Sequence, residues 1–211
     1  MKILAHRGYW NSDIKNNSYT ALKNALESGF GFESDIRDYC GKLVISHNIA
    51  DDKSIEAEKI FQELHSEEDK YCFAINIKAD GLKDLLYDLL YKYEIKNYFT
   101  FDMSVPQMIE YKEKGIDFYT RQSEYEKELV LYDEAKGVWI DAFKDDSWIT
   151  EELLNEHIKN GKKVCLVSPD LHKKNYISFW TRLKNFKIDF ENVILCTDFP
   201  IEAKNFFESV L

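Results

Sequence analysis

Short β-type runs alternate with segments of helical period from one end of this 211-residue chain to the other. Such alternation means a parallel sheet with crossover helices. Strands are expected at Lys2–His6, Phe32–Asp38, Lys42–His47, Tyr71–Lys78, Tyr98–Phe101, Phe118–Arg121, Val138–Phe143, Lys163–Ser168 and Val193–Thr197. Helices are expected at Ser18–Ser28, Ser54–His65, Leu82–Glu94, Val105–Lys114, Thr150–Asn160, Tyr176–Asn185 and Glu202–Val210. Their apolar positions recur at three and four, as in Leu82, Leu85, Leu86, Leu89 and Leu90.

Counting separates an open sheet from a barrel. The turn Tyr39-Cys40-Gly41 is too short for a parallel crossover, so the strands on either side of it read as a hairpin excursion after the second strand. Eight strand positions remain, about 26 residues per unit, compact against the roughly 250 of a usual (β/α)8 barrel. No stretch rich in Gly, Pro or Ser cuts the chain. The expectation is an α/β fold: a small (β/α)8 TIM barrel with a β-hairpin excursion after strand 2, residues 1–211 forming a single domain.

Composition narrows the functional classes. With 45% hydrophobic residues, 8 Gly and 3 Pro, the chain is not disordered or low-complexity. The longest apolar run, Tyr71 to Ile75, is far short of the roughly 18 residues that span a bilayer. Charge interrupts the N-terminal residues too early for a signal peptide, so a cytoplasmic location without integral membrane association is expected. Cys40, Cys72, Cys165 and Cys196 follow no metal-knuckle spacing and are expected as buried reduced thiols. A net charge of −10 without a basic run argues against nucleic acid as a partner. The acidity is uneven, however: residues 1–48 hold 6 basic and 5 acidic groups, net +1, whereas Asp51–Asp69 reads as a solvated acidic helix.

Barrel active sites lie at the C-terminal ends of strands. His6, Glu33, Asp35, Asn76, Lys78, Arg121, Asp141 and Asp198 fall there. Glu33 with Asp35, and Asn76 with Lys78, stand two apart and so share a strand face. Two carboxylates on one face of a buried strand call either for a divalent cation or for arginine and lysine neighbours.

His6-Arg7-Gly8, then Asn17-Ser18 opening a helix, then Glu33-Ser34-Asp35, then Leu43-Val44-Ile45-Ser46-His47, resemble in order and spacing the glycerophosphodiester phosphodiesterase family, relatives of the phosphatidylinositol-specific phospholipases C. Ile75-Asn76-Ile77-Lys78 and Thr197-Asp198-Phe199-Pro200 add two shorter islands of resemblance. The family is a (β/α)8 barrel, in agreement with the fold reached independently. The resemblance implies a phosphoric diester hydrolase acting on a small soluble phosphodiester. His6 and His47 would be the acid/base pair, since histidine titrates near neutrality. Arg7 and Lys78 would hold the phosphate. Glu33 and Asp35 would ligate Mg²⁺ or Ca²⁺, the ion acting as Lewis acid on a phosphate oxygen.

The chain departs from the family at two places. Lys15-Asn16-Asn17-Ser18 stands where the family has Pro-Glu-Asn-Thr, and Asn76 stands where its third metal-binding glutamate belongs. The ion is then expected to bind weakly. Asn76 is itself a ligand, Asp102 or Asp141 substitutes, or the ion is lost and Arg7 with Lys78 neutralise the phosphate alone. The same departures leave open a barrel that binds phosphorylated ligands without cleaving them. A phosphodiester on a surface glycan or lipid headgroup is the remaining alternative substrate.

Among the other candidates, Arg121 would grip a second anionic group or pair with Glu124 or Glu126. Asp170 and His172 would read the leaving group, or Asp170 would cap a turn. His65 and His157 are expected in solvent; Trp10, Trp139 and Trp148 would wall a pocket or fill the core.

Overall fold

The first strand, β1 (Lys2–His6), stops at a turn that only glycine permits. The computed structural model describes residues 1–67 and 70–209, and in it Gly8 has φ +86°. A Cβ at Gly8 would stand 2.5 Å from the backbone carbon of Ala21, because the Tyr9 N–H donates to the Ala21 carbonyl at 2.8 Å and presses the loop onto the first helix. Gly8→Ala is therefore expected to cost about 2–4 kcal/mol of unfolding free energy. Urea denaturation checks this, and a loss under about 0.5 kcal/mol would mean that the loop can retreat.

Residues Ala5–Phe118 make up one compact unit. Helix α1 (Tyr19–Glu27) starts where the Ser18 hydroxyl accepts the Ala21 N–H at 3.1 Å, and it buries Ala21, Leu22, Ala25 and Leu26 along one stripe. Strand β2 (Gly31–Tyr39) turns back through Cys40 and Gly41 into β3 (Lys42–Ile45), pairing antiparallel from Ile36↔Ile45 to Tyr39↔Lys42. This is the expected hairpin excursion. It is one strand longer than the sequence suggested, since Ile55–Glu56 forms β4 on β3 and delays helix α2 to Glu58–Ser66. The acidic stretch Asp51–Asp69 is therefore not one solvated helix: α2 is amphipathic and buries Ile60, Phe61 and Leu64, while Glu68 and Asp69 lie outside the described residues.

Strand β5 (Phe73–Ile77) runs parallel to β2, with Glu33 opposite Ala74 and Asp35 opposite Asn76. Helix α3 (Lys83–Lys92), strand β6 (Tyr98–Phe101) and helix α4 (Val105–Lys114) complete the unit, β6 parallel to β5. Its core gathers Leu22, Phe32, Phe61, Phe73 and Tyr111, with Phe32 and Phe73 ring centroids 4.9 Å apart.

Met1–Leu4 group with the chain from Tyr119 onward in a second unit. There β7 (Tyr119–Gln122), β8 (Gly137–Ile140), β9 (Lys163–Val167) and β10 (Val193–Thr197) pair in parallel in sequence order. Helices α5 (Glu151–Lys159), α6 (Ile177–Lys184) and α7 (Pro200–Glu208) accompany them, whereas the β7–β8 connection is built of turns. The helix expected at Glu202–Val210 starts earlier, at Pro200, and Val210 lies outside the described residues. The core of this unit is Trp180, Phe179, Leu166 and Leu195.

Three cysteines are buried as expected, but Cys40 is exposed because it sits in the hairpin turn at φ +48°. His157 is not in solvent. It is buried, its two ring nitrogens meeting the Tyr132 hydroxyl and Gln122 Oε1, each at 2.9 Å. His65 is exposed. Trp139 lies in the core, Trp148 packs against it, and the Trp10 indole N–H donates to the His6 carbonyl at 2.9 Å. Among the described residues no helix is long and apolar enough to cross a membrane.

Candidate active site

Strand β1 neighbours β2, which runs parallel to β5, and His6, Arg7, Glu33, Asp35, Asn76 and Lys78 lie on or just beyond these three strands. Asp35 is the centre. It is fully buried, and its Oδ2 accepts the Asn17 side-chain amide at 2.7 Å and faces Arg7 Nε at 3.1 Å. Its Oδ1 faces Lys78 Nζ at 3.2 Å, and Lys78 is also 3.9 Å from Asp102 Oδ2. The two contacts of Asp35 with the cations are close but poorly aligned: among the described residues neither Arg7 Nε nor Asp35 Oδ1 has a hydrogen-bond partner, so the pairing is Coulombic and leaves directional capacity unused.

Glu33 lies two residues earlier on the same face, 1% exposed. Its Oε2 accepts the Arg7 backbone N–H at 3.2 Å and stands 3.8 Å from His6 Nε2. Burial, then repulsion from Asp35, push the Glu33 carboxyl up to about 7, against the pull of His6, Arg7 and Lys78. The site thus favours one added positive charge, whether a proton on Glu33 or a cation beside it.

The backbone is bent to achieve this. Arg7, Asn17 and Asp102, none of them glycine, sit at φ +57°, +55° and +68°. Left-handed non-glycine residues concentrate where surrounding structure over-determines them, as at functional sites. Asn17 shows how: its N–H donates to the Arg7 carbonyl at 2.9 Å, and its side chain joins Asp35 to the Ser34 hydroxyl at 2.8 Å. Sequence reasoning used Asn17 only as a helix opening. Its signal was an asparagine directly before an N-cap serine, a residue type that tolerates the left-handed region. Arg37 also went unselected, and its guanidinium holds the Lys78 carbonyl at 2.8 Å.

His47 follows β3 and is exposed, its Nδ1 3.0 Å from Asn48 Oδ1. Arg7 and His47 line one open cavity of about 610 Å³ between the β1–α1 loop and the β3–β4 loop. Asn76 is 7% exposed, and its Oδ1 has no hydrogen-bond partner among the described residues. Two buried oxygens without hydrogen bonds, Asp35 Oδ1 and Asn76 Oδ1, therefore lie on residues in register on neighbouring strands, beside the Glu33 carboxyl. Such a donor set fits a hard divalent cation. It is not a cluster of three acidic or histidine ligands, which is absent among the described residues.

The remaining candidates belong to the second unit. Arg121 Nε meets Glu126 Oε2 at 3.1 Å, and the guanidinium lies over the Phe143 ring. Glu124 instead accepts the backbone N–H groups of Phe143, Lys144 and Asp145. Asp141 pairs with His172 Nε2 at 2.6 Å. Asp170 lies inside a 3₁₀ turn whose N-cap is Ser168, not at its start; its Oδ2 accepts the Thr197 hydroxyl at 3.0 Å and the Asp198 N–H at 2.7 Å, tying two loops together.

An α/β chain of this element order, with a buried carboxylate pair flanked by cations at parallel strand ends, belongs to the class of folds that place active sites at the C-terminal ends of barrel strands. No protein-family model and no curated protein matches the sequence. Solved structures do. The chain is 16% identical to a putative glycerophosphodiester phosphodiesterase from Galdieria sulphuraria, with a TM-score of 0.77 over 99% of this chain and 98% of that one. It is 13% identical to an Oleispira antarctica phosphodiesterase solved with the product sn-glycerol-3-phosphate, at TM-score 0.71 over 99% and 97%. A glycerophosphodiester phosphodiesterase from Agrobacterium tumefaciens gives 16% identity and TM-score 0.65 over 99% of both chains. These likenesses show that the fold is that of the glycerophosphodiester phosphodiesterase structures, the (β/α)8 class expected from the strand count.

Proposed function

We propose that this chain is a phosphoric diester hydrolase of the glycerophosphodiester phosphodiesterase type, acting in the cytoplasm on a small phosphodiester. The observation that carries the reading is the buried Glu33–Asp35 pair held against Arg7 and Lys78, with Arg7 and His47 on the wall of one cavity. The fold shared with phosphodiesterases supports it.

Cleaving a phosphodiester requires a proton to leave the attacking hydroxyl, a proton to reach the departing alkoxide, and charge on the phosphoryl oxygens to be neutralised. Arg7 and Lys78, already facing Asp35 with unaligned donors, can turn those donors to the phosphate without losing an established hydrogen bond. His6, 3.8 Å from the Glu33 carboxylate, is the group whose imidazolium Glu33 stabilises. His47, exposed at the cavity wall, exchanges its proton with solvent and serves as the opposite partner. A divalent ion, Mg²⁺ or Ca²⁺, would be held by Glu33, Asp35 and Asn76 and would supply Lewis-acid charge at a phosphoryl oxygen. Arg121 stays a candidate for substrate contact only if its pairing with Glu126 is released.

Purified protein incubated with sn-glycero-3-phosphocholine and bis(4-nitrophenyl) phosphate, with Mg²⁺, Ca²⁺ or chelator, tests the reading. Release of glycerol phosphate or nitrophenol is expected. Binding of glycerol phosphate with no turnover of either diester would replace it by a barrel that holds phosphorylated ligands without cleaving them.

A further inference from the structure

The cavity holds more positive charge than a phosphodiester requires. Its walls carry Arg7, Lys15 and Lys53 against one carboxylate, Asp51. Arg7 faces Asp35 at 3.1 Å without a hydrogen bond at Nε among the described residues. Asp51 is folded into its own turn, where its Oδ1 accepts the Lys53 N–H at 3.0 Å and the Ser54 hydroxyl at 3.4 Å. Lys15 and Lys53 are exposed and in no ion pair among the described residues, on a chain whose net charge is −10. Both lie on loops that bound the cavity, Lys15 between β1 and α1 and Lys53 between β3 and β4.

A phosphodiester carries one negative charge, and Arg7, which lines the cavity and whose Nε makes no hydrogen bond among the described residues, answers it. Two unmatched lysines then correspond to a second anion on the same molecule. A phosphomonoester, close to doubly charged at neutral pH, fits two ammonium groups better than a carboxylate does. The rest of the wall mixes amides and hydroxyls, Asn16, Ser46 and Asn48 among them, with Ile45, Ile49 and Ile55, and its polar groups suit a hydroxylated body between the two phosphates.

We propose that Lys15 and Lys53 form a phosphomonoester subsite, so that the substrates this cavity selects are phosphodiesters whose alcohol bears a second phosphate. The inference rests on the phosphodiesterase reading of the same cavity for its catalytic half, though not for its binding half.

The test compares ligands that differ by one phosphate: sn-glycero-3-phospho-1-inositol and its 4-phosphate as substrates, inositol 1-phosphate and inositol 1,4-bisphosphate as binding probes. The wild type is expected to favour the phosphorylated member about tenfold in kcat/KM and in Kd, the size two exposed charge pairs allow, with the preference shrinking as salt rises. In the Lys15→Ala/Lys53→Ala double variant the ratio should fall to within about twofold of one. Both side chains are exposed, so the variant's fold is not at risk, and circular dichroism verifies it. Equal affinity of the wild type for the two probes, or a preference that survives the double substitution, overturns the subsite. If neither diester is cleaved yet the bisphosphate is preferred and the double variant loses that preference, the subsite stands and only the phosphodiesterase reading fails.

Discussion

His6→Ala and His47→Ala are each expected to lower kcat/KM for a glycerophosphodiester by about 10²–10⁴, the range that a positioned general acid or base contributes. Stability should hardly change for His47, which is exposed and whose ring meets the neighbouring Asn48. His6 touches Glu33, so its loss also removes one of the groups that draw the Glu33 carboxyl down from its buried value. The pH profiles should therefore differ. His47→Ala removes one limb of the bell, and His6→Ala removes the other while moving the titration of Glu33 upward. An activated aryl diester, whose leaving group needs no proton, should be spared by whichever histidine acts as the acid. If both variants keep wild-type kcat/KM on an alkyl diester, the acid–base assignment is wrong.

The second large effect concerns Glu33. Its carboxyl titrates near 7 in the folded protein against 4.5 for the unperturbed group, so the folded state holds the proton more tightly than the unfolded one. The stabilisation this gives is complete below about pH 4.5 and is lost as pH rises through about 7, a fall of roughly 3 kcal/mol at most. Chelator-treated protein should accordingly melt at lower temperature at pH 8 than at pH 5, and Glu33→Gln, which cannot ionise, should flatten that slope. Millimolar Mg²⁺ or Ca²⁺ should restore wild-type stability at pH 8, where Glu33 is ionised, and should do little at pH 5 or in Glu33→Gln. Differential scanning calorimetry across pH reads both effects without any turnover. No response to either ion at pH 8 would remove the cation from the reading and leave Arg7 and Lys78 to neutralise the phosphate alone.

The strand count, the hairpin excursion and the pairs sharing a face were legible because alternation and period are local properties. Lys2–His6, Tyr98–Phe101 and Val193–Thr197 form over the expected residues. Boundaries slipped where a neighbour decided them: β4 exists because Ile55 and Glu56 find β3, not because of their own pattern. His157 was misread for the same reason, since a histidine among charged neighbours on a helix looks solvated until Tyr132 and Gln122 are brought to its two nitrogens.

At the site, the sequence by itself determined which residue types meet: His6, Arg7, Glu33, Asp35, Asn76 and Lys78 are placed at the ends of successive strands by the fold class alone. It could not decide what the carboxylates face, because a buried acidic pair is compensated equally well by a cation or by lysine and arginine. Only the tertiary structure set Asp35 between Arg7 and Lys78, left Asn76 Oδ1 without a hydrogen bond among the described residues, and gave Asn17 its bridging role. It alone also put Lys15 and Lys53, 38 residues apart in sequence, on one cavity wall. The physical reason is that strand position follows from local pattern, whereas charge compensation depends on contacts between segments far apart in sequence.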